Sequence, residues 1–175
     1  GAVLTNDPEV YKNLLLLRDH GRDEETGEVV CWGMNTRMDN LQAAILNYQL
    51  DKYDQTVERR RHIAGIYNEL LAEVRELQLP LGPNDNEAHY DIYQNYEVRA
   101  QRRDELKQYL KDNGIGTLVQ WSGKAVHQFP KLGFTCELPK TDQLFKELLM
   151  IPLNMSVTDE EVAYVAQTIK NFYRG

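Results

Sequence analysis

The sequence predicts an α+β fold in which several helices pack around a small, mainly antiparallel sheet. Residues 38–73 contain no proline and a single glycine, and their apolar side chains recur at helical spacing. After residue 88, short stretches rich in aromatic and branched residues alternate with helical segments, which is typical of strands interleaved with helices. The last segment combines a helix cap with an apolar stripe that ends at Phe172.

The composition is that of a folded globular chain. Its 175 residues are 42% hydrophobic and 27% charged, so one domain, or one domain plus an arm, is expected. The net charge is −7 and the basic residues are interspersed with acidic ones, so nucleic acid is not expected as a partner. The longest apolar run covers residues 14–17 and falls far short of the ~20 residues that span a bilayer, so no membrane partner is expected.

The two cysteines indicate the cellular compartment of the chain, and the first residues indicate how the chain begins. Cys31 and Cys136 show no metal-ligand spacing, so we expect neither a zinc site nor a disulfide, and a cytoplasmic setting fits best. The chain opens on a strand-like apolar run without an initiator methionine, which is how a fragment or a processed chain begins.

The first half predicts a strand, a helix, a loop and a long helix. Residues 2–5 are apolar and partly β-branched, Asp7 and Pro8 begin a helix, and Gly21 ends it. Residues 33–37 form an irregular loop that is a candidate site. Residues 38–75 then form one very long helix or two nearly collinear ones, and the charge run at residues 58–61 is expected to be a solvated helical face.

The second half predicts the elements of a separate small domain. Residues 77–86 are a linker, and Ser156 or Thr158 caps the last helix, with Glu161 completing a capping box after Thr158. Between them we expect strands at residues 91–100 and 115–121, a helix at 102–113, a loop at 122–139, a helix at 142–149 and a strand end at 150–152.

Several motifs in register resemble one enzyme family, and together they cover essentially the whole chain. They are residues 2–7, 18–21, 33–44, 94–99, 103–106 and 114–117, His127, and residues 149–153 and 158–162. In order and spacing they resemble the DegT/DnrJ/StrS sugar aminotransferases, which use pyridoxal 5'-phosphate. The chain is similar to the carboxy-terminal part of such an enzyme.

The resemblance implies a domain organisation like that of aspartate aminotransferase, with fold type I. Residues 1–37 would end the large cofactor-binding domain, residues 38–75 would be the long connecting helix, and residues 76–175 would be the small carboxy-terminal domain. The lysine that holds the cofactor in this family lies upstream of Gly1. We therefore assign no catalytic residue to this chain and expect it to be inactive alone.

The resemblance also implies four binding residues. Asn35 matches the asparagine that reaches the cofactor phosphate in the partner subunit's active site; alternatively it only takes a left-handed turn conformation. Arg37 matches a position that faces the substrate, with a surface salt bridge as the alternative. His127 matches a histidine that approaches the nucleotide-sugar, or it is a loop histidine bonded to its own backbone. The chain departs from the commoner family pattern here and offers Lys124 as a second phosphate partner. Trp121 is expected to be a buried aromatic at a strand end, with stacking on a base or a sugar as the alternative.

By resemblance, the complete enzyme is a homodimer with shared active sites that transfers an amino group from glutamate to a nucleotide-linked keto-sugar, with pyridoxal and pyridoxamine phosphate alternating as cofactor. Two alternatives stay open at this point. Related dehydratases use pyridoxamine phosphate and carry histidine in place of the lysine. A non-catalytic dimerisation or interaction domain would instead use the apolar face of the long helix. No metal is implied.

Overall fold

A computed structural model describes residues 2–86 and 88–175. Within this part of the chain it contains six α-helices and one three-stranded antiparallel sheet, which confirms the predicted α+β class. The chain divides into two compact units. The N-terminal unit ends at Lys52, and the C-terminal unit comprises Tyr53–Gly175.

The N-terminal unit contains helices α1 (Pro8–Arg18) and α2 (Asn40–Leu50). The predicted start of α1 is confirmed, because the Asp7 carboxylate accepts the backbone N–H groups of Glu9 and Val10 and Pro8 occupies the first turn. The predicted strand at residues 2–5 is wrong: these residues have no regular structure. A strand needs a neighbouring strand to pair with, and the described residues offer none there.

Of the two alternatives for residues 38–75, one very long helix or two, the structure shows two. Helix α2 ends at Leu50 and α3 (Tyr53–Leu71) begins three residues later. At the break the N–H of Lys52 bonds to the carbonyl of Gln49, an i to i+3 contact that tightens the last turn of α2. The domain boundaries at residues 37/38 and 75/76 remain predictions.

The sheet lies in the C-terminal unit, in the order β1 (Leu77–Gln78), β2 (Tyr96–Ala100) and β3 (Leu148–Ile151). Both pairings are antiparallel, as predicted. The strand predicted at residues 115–121 shrinks to one bridge between Leu118 and Met150. It cannot extend because the chain enters a tight 3-10 turn at residue 120.

Three helices accompany the sheet: α4 (Arg103–Asp112), α5 (Pro139–Glu147) and α6 (Asp159–Arg174). Alternate residues of β2 are buried, so one face of the sheet joins the core, where α3 and α4 also contact α6. Fully buried side chains of this core include Ile63, Tyr67, Tyr96, Val98, Leu106, Leu110, Leu149, Val162 and Ile169. The predicted capping box of α6 is confirmed at Thr158 and Glu161.

The arginine run of α3 is not the solvated face that the charge pattern predicts. Arg60 donates to the carbonyls of Tyr93 and Gln94 at 2.9 and 2.6 Å. Arg61 donates to the carbonyl of Asp91 at 2.6 Å, and its guanidinium stacks 4.1 Å from the ring centroid of Tyr90. These partners lie some 30 residues away in sequence, which is why a charge pattern cannot reveal them.

Candidate functional site

The loop at residues 33–37 is held against the end of α1 by backbone hydrogen bonds. His20 donates to the carbonyl of Met34 at 3.1 Å, and Thr36 donates to the carbonyl of Arg18 at 3.0 Å. The approach is so close that a Cβ on Gly21 would overlap the carbonyl oxygen of Cys31. Glycine at that position, with a φ of +72°, therefore allows the loop to fold back beside the helix end.

Asn35 and Arg37 belong to a side-chain cluster around Asp19. Arg37 Nε donates to Asn35 Oδ1 at 3.2 Å and lies 3.5 Å from an Asp19 oxygen. The other Asp19 oxygen accepts from Arg22 at 3.1 Å. Asp19 is only 7% exposed, and the Arg22 guanidinium, helped by Arg37, holds the pKa of this carboxyl below its usual range. The carboxylate therefore orients Arg37 from one side.

The geometry tests the alternatives to ligand binding at these residues, which are a left-handed turn at Asn35 and a surface salt bridge at Arg37. Positive φ falls on His20 (60°) and Gly21 (72°) and not on Asn35, so the left-handed turn does not explain the asparagine. Arg37 does make a surface ion pair with Asp19, but a long one. Both Asn35 and Arg37 are exposed, and Arg37 also lines a largely apolar cleft of about 880 Å³ in the same unit.

The donor set of this loop fits the phosphate of a phosphate ester. The amide nitrogen of Asn35 and the terminal nitrogens of Arg37 have no protein partner within residues 2–86 and 88–175. An amide and a guanidinium on neighbouring positions suit an oxyanion, because both donate and one carries positive charge. Asn35 could therefore hold the phosphate of pyridoxal phosphate, and Arg37 could hold an anionic group of a substrate.

His127 lies in the C-terminal unit, on a 3-10 turn formed by Val126–Gln128. Its side chain is 6% exposed, and Nε2 lies 2.8 Å from a carboxylate oxygen of Asp142 on α5. The same oxygen accepts from Gln128 Nε2 at 2.5 Å. The imidazole is thus bonded to a side chain from another element and not to its own backbone. Its Nδ1 is buried and has no partner in the described part of the chain.

His127 and Lys124 line the same cavity, which has a volume of about 770 Å³. Trp121 lines it as well and is 74% exposed, so the prediction that this tryptophan is buried is wrong. The reason is a reversal of the chain: Trp121, Ser122 and Gly123 all have positive φ, at 49°, 57° and 76°. Such a turn moves residue 121 off the strand path that the sequence predicts.

The structure therefore brings the predicted residues together in two pairs. Asn35 lies beside Arg37 in the N-terminal unit, and His127 lies with Lys124 in the C-terminal unit. Sequence reasoning missed Asp19 and Asp142. Asp19 stands inside a recognised motif without an assigned role, whereas Asp142 gives no signal, because an acidic residue in the first turn of a helix is ordinary.

Neither a metal-binding group nor a membrane-spanning helix is found among the residues that the structure describes. No group of His, Cys, Asp or Glu side chains there could hold a metal ion. None of the described helices is long and apolar enough to cross a membrane.

Comparison with curated proteins gives relatives that match nearly all of this chain. A pleiotropic regulatory protein of Geobacillus stearothermophilus is 34% identical over 177 residues, which cover 99% of this chain and 47% of the relative. A dTDP-3-amino-3,6-dideoxy-alpha-D-galactopyranose transaminase of Aneurinibacillus thermoaerophilus is 30% identical, covering 98% and 46% respectively. The chain spans about half the length of the curated relatives it matches, and it corresponds to their carboxy-terminal part.

Solved structures share the fold. DesV of S. venezuelae superimposes with a TM-score of 0.87 at 27% identity, over 98% of this chain and 46% of that one. The sugar aminotransferase Spr1654 of Streptococcus pneumoniae in its PMP form, itself described as putative, gives 0.83 at 25% identity, over 99% and 45%. The family model described as the DegT/DnrJ/EryC1/StrS aminotransferase family matches residues 1–170. The chain belongs to this family.

Proposed function

We propose that this chain is part of a pyridoxal-phosphate-dependent aminotransferase that moves an amino group from glutamate to a nucleotide-linked keto-sugar. The family match over residues 1–170 carries the proposal. Relatives support the substrate class: the Aneurinibacillus protein is named a transaminase of a dTDP-linked amino sugar, and one from Acidithiobacillus ferrooxidans is named for a UDP-linked 3-dehydro sugar. A cytoplasmic location is part of the same proposal.

The cofactor would be held in part by Asn35. When bound, pyridoxal phosphate supplies an electron sink for bond changes at the amino-bearing carbon. The Asn35 amide would donate to a phosphate oxygen, and Arg37, oriented by Asp19, would bind an anionic group of the cofactor or substrate. The exposure of both side chains supports a role towards a neighbouring subunit, so we propose a homodimer with shared active sites.

His127 and Lys124 would face the substrate from the C-terminal unit. The Asp142 carboxylate accepts from Nε2 of His127, so Nδ1 is the ring nitrogen without a partner within residues 2–86 and 88–175. Lys124 is exposed and would add positive charge for a diphosphate. None of the lysines of this chain matches the family's cofactor-holding lysine, so these residues alone would bind and orient but would not catalyse.

The experiment uses the intact protein, meaning the longer chain of which we propose these residues to be a part. Amino transfer from glutamate to dTDP- and UDP-linked keto-sugars is measured, together with the affinity for pyridoxal phosphate. Asn35→Asp keeps the shape but places a negative charge beside the phosphate, so the Kd for pyridoxal phosphate should rise at least about tenfold. The Kd for pyridoxal, which lacks the phosphate, should not change.

Trp32→Ala is the matched control, because Trp32 is 97% exposed and stands three residues from Asn35. Unchanged affinity of the Asn35→Asp variant for pyridoxal phosphate would contradict the role of Asn35. Absence of amino transfer from the wild-type protein with every sugar nucleotide tested would contradict the function itself.

A second candidate function, a non-catalytic interaction or dimerisation domain, is favoured by two observations. The Geobacillus relative is named a regulatory protein. In addition, Leu41, Ile45 and Tyr48 of α2 recur at helical spacing and are 73%, 51% and 62% exposed. Both candidates predict a dimer, so light scattering alone does not separate them. An intact protein that is dimeric but neither binds pyridoxal phosphate nor transfers an amino group would favour the interaction domain.

A further inference from the structure

A short antiparallel bridge brings the side chains of Asp19, Asn35 and Arg37 to one place. Asp19 lies directly opposite Asn35 in this bridge, so their side chains leave the backbone on the same side. Backbone hydrogen bonds on either side of the pair, donated by His20 and Thr36, fix this register. Arg37 follows two residues after Asn35, and its Nε atom reaches both partners. The backbone therefore keeps the three side chains within reach of one another.

The hydrogen bond between Arg37 and Asn35 decides which end of the Asn35 amide is left for a ligand. Nε of Arg37 lies 3.2 Å from Oδ1 of Asn35. A guanidinium nitrogen donates and cannot accept, so the amide atom that faces it must be the oxygen. The amide NH2 group is thereby left without a partner in the described part of the chain. With its oxygen already occupied, Asn35 offers a ligand two N–H donors.

Asp19 fixes the Arg37 nitrogen that makes this hydrogen bond. Its Oδ1 atom lies 3.5 Å from the same Nε atom, and its Oδ2 atom accepts from Arg22 at 3.1 Å. Asp19 is nearly buried and is paired at both oxygens, so its carboxylate has little freedom to turn. Nε of Arg37 is thus shared between Asp19 and Asn35, whereas its two terminal nitrogens face neither. Holding Asn35 and binding a separate anion therefore use different atoms of Arg37.

We propose that Asp19 and Arg37 are positioning residues for the cofactor phosphate: Asp19 fixes Nε of Arg37, and this Nε orients the amide NH2 group of Asn35 towards the phosphate. The inference rests on the proposed function, in which Asn35 binds that phosphate, and it adds how the amide is oriented for this task. An amide turned the other way would face the phosphate with its oxygen and repel it. Neither Asp19 nor Nε of Arg37 touches the phosphate in this arrangement.

Two substitutions of Arg37 separate its positioning role from its charge. Glutamine carries its side-chain nitrogen on Cδ, as arginine carries Nε, so Arg37→Gln keeps a donor for Asn35 without the charge. Arg37→Met has a similar length and removes both. The Kd values for pyridoxal phosphate and pyridoxal are measured on the intact protein by fluorescence titration. Arg37→Met should bind pyridoxal phosphate at least about fivefold more weakly than Arg37→Gln, because only the methionine variant releases the Asn35 amide. The Kd for pyridoxal, which lacks the phosphate, should not differ between them.

A double-mutant cycle tests whether Asp19 acts through Asn35. Asp19→Asn should raise the Kd for pyridoxal phosphate at least about threefold in the wild-type background, because it removes the charge that holds Nε. In the Asn35→Ala background the same substitution should have no effect, since the amide that it orients is gone. Arg18→Met is the matched control, because the Arg18 side chain lies in the same unit and pairs with Glu24 instead. It should leave both Kd values unchanged.

Equal Kd values for pyridoxal phosphate in Arg37→Gln and Arg37→Met would overturn the inference, and so would an Asp19→Asn effect that persists without Asn35. An equal loss of pyridoxal affinity would also overturn it, since the phosphate would then not be involved. If amino transfer by the wild type accompanies any of these results, the proposed function stands without the inference. The expected differences in a protein that binds pyridoxal phosphate but transfers no amino group would have the reverse meaning. A wild-type protein that does not bind pyridoxal phosphate would contradict both.

Discussion

At the scale of single residues, Asp19 decides how Arg37 is presented. Its carboxylate is nearly buried, pairs with Arg22 at 3.1 Å and lies 3.5 Å from Arg37. Its backbone also bridges to Asn35 in the candidate loop. Asp19 therefore contacts the loop in two ways, through its backbone at Asn35 and through its carboxylate at Arg37.

The lowered pKa of Asp19 gives this support a definite pH dependence. A carboxyl whose pKa is lower in the folded state contributes stability above its unfolded pKa of about 3.9, and this is lost as the pH falls through the folded pKa. Amide exchange at residues 33–37 should therefore accelerate below about pH 4 beyond the intrinsic change. Asp19→Asn should show the faster exchange at pH 7 as well.

Asp54→Asn is the control for this experiment, because Asp54 is exposed and makes no ion pair within residues 2–86 and 88–175. It should leave exchange in the loop unchanged at every pH. Protection at residues 33–37 that is the same in Asp19→Asn and the wild type would show that the backbone bonds alone hold the loop.

At the scale of elements, the structure shows which of the two residues suggested by the sequence, Ser156 or Thr158, caps helix α6. The Thr158 hydroxyl accepts the backbone N–H of Glu161 at 3.2 Å, and the Glu161 carboxylate accepts the backbone N–H of Thr158 at 2.9 Å. Thr158→Ala should therefore lower the free energy of unfolding by about 1 kcal/mol, measured by urea denaturation. Ser156→Ala is the matched control and should cost less than about 0.5 kcal/mol. Equal losses for both would mean that the cap is wrongly placed.

Helices were predicted well because their signals are local. Asp7 and Pro8 at α1 and Thr158 at α6 act within one turn of themselves, so the sequence nearby contains the whole cause. Strands depend on distant partners, so residues 2–5 and 115–121 have strand-like composition without becoming strands. The same limit applies to the site: Asn35 and Arg37 came from one motif, whereas the pairing of His127 with Asp142 joins two elements.

At the scale of the whole molecule, the two units differ in how much apolar surface they bury. The C-terminal unit has a continuous core that includes Leu106, Val98 and Ile169. Within residues 2–52, no hydrophobic side chain is buried, and Leu17 and Leu41 are 46% and 73% exposed. Burial of apolar area is the main source of folding free energy, so the N-terminal unit should be the less stable one.

Hydrogen exchange measured by mass spectrometry on the 175-residue chain tests this difference. Amides of α1 and α2 should exchange faster than those of α3 and α6 by at least about a hundredfold, because local opening of a unit without a core costs little. Leu106→Ala should cost about 2–5 kcal/mol and accelerate exchange in the C-terminal unit. Leu17→Ala, at a side chain already half exposed, should change exchange only slightly. If the amides of α1 and α2 were protected as strongly as those of α3 and α6, contacts other than a buried apolar core would have to stabilise the N-terminal unit.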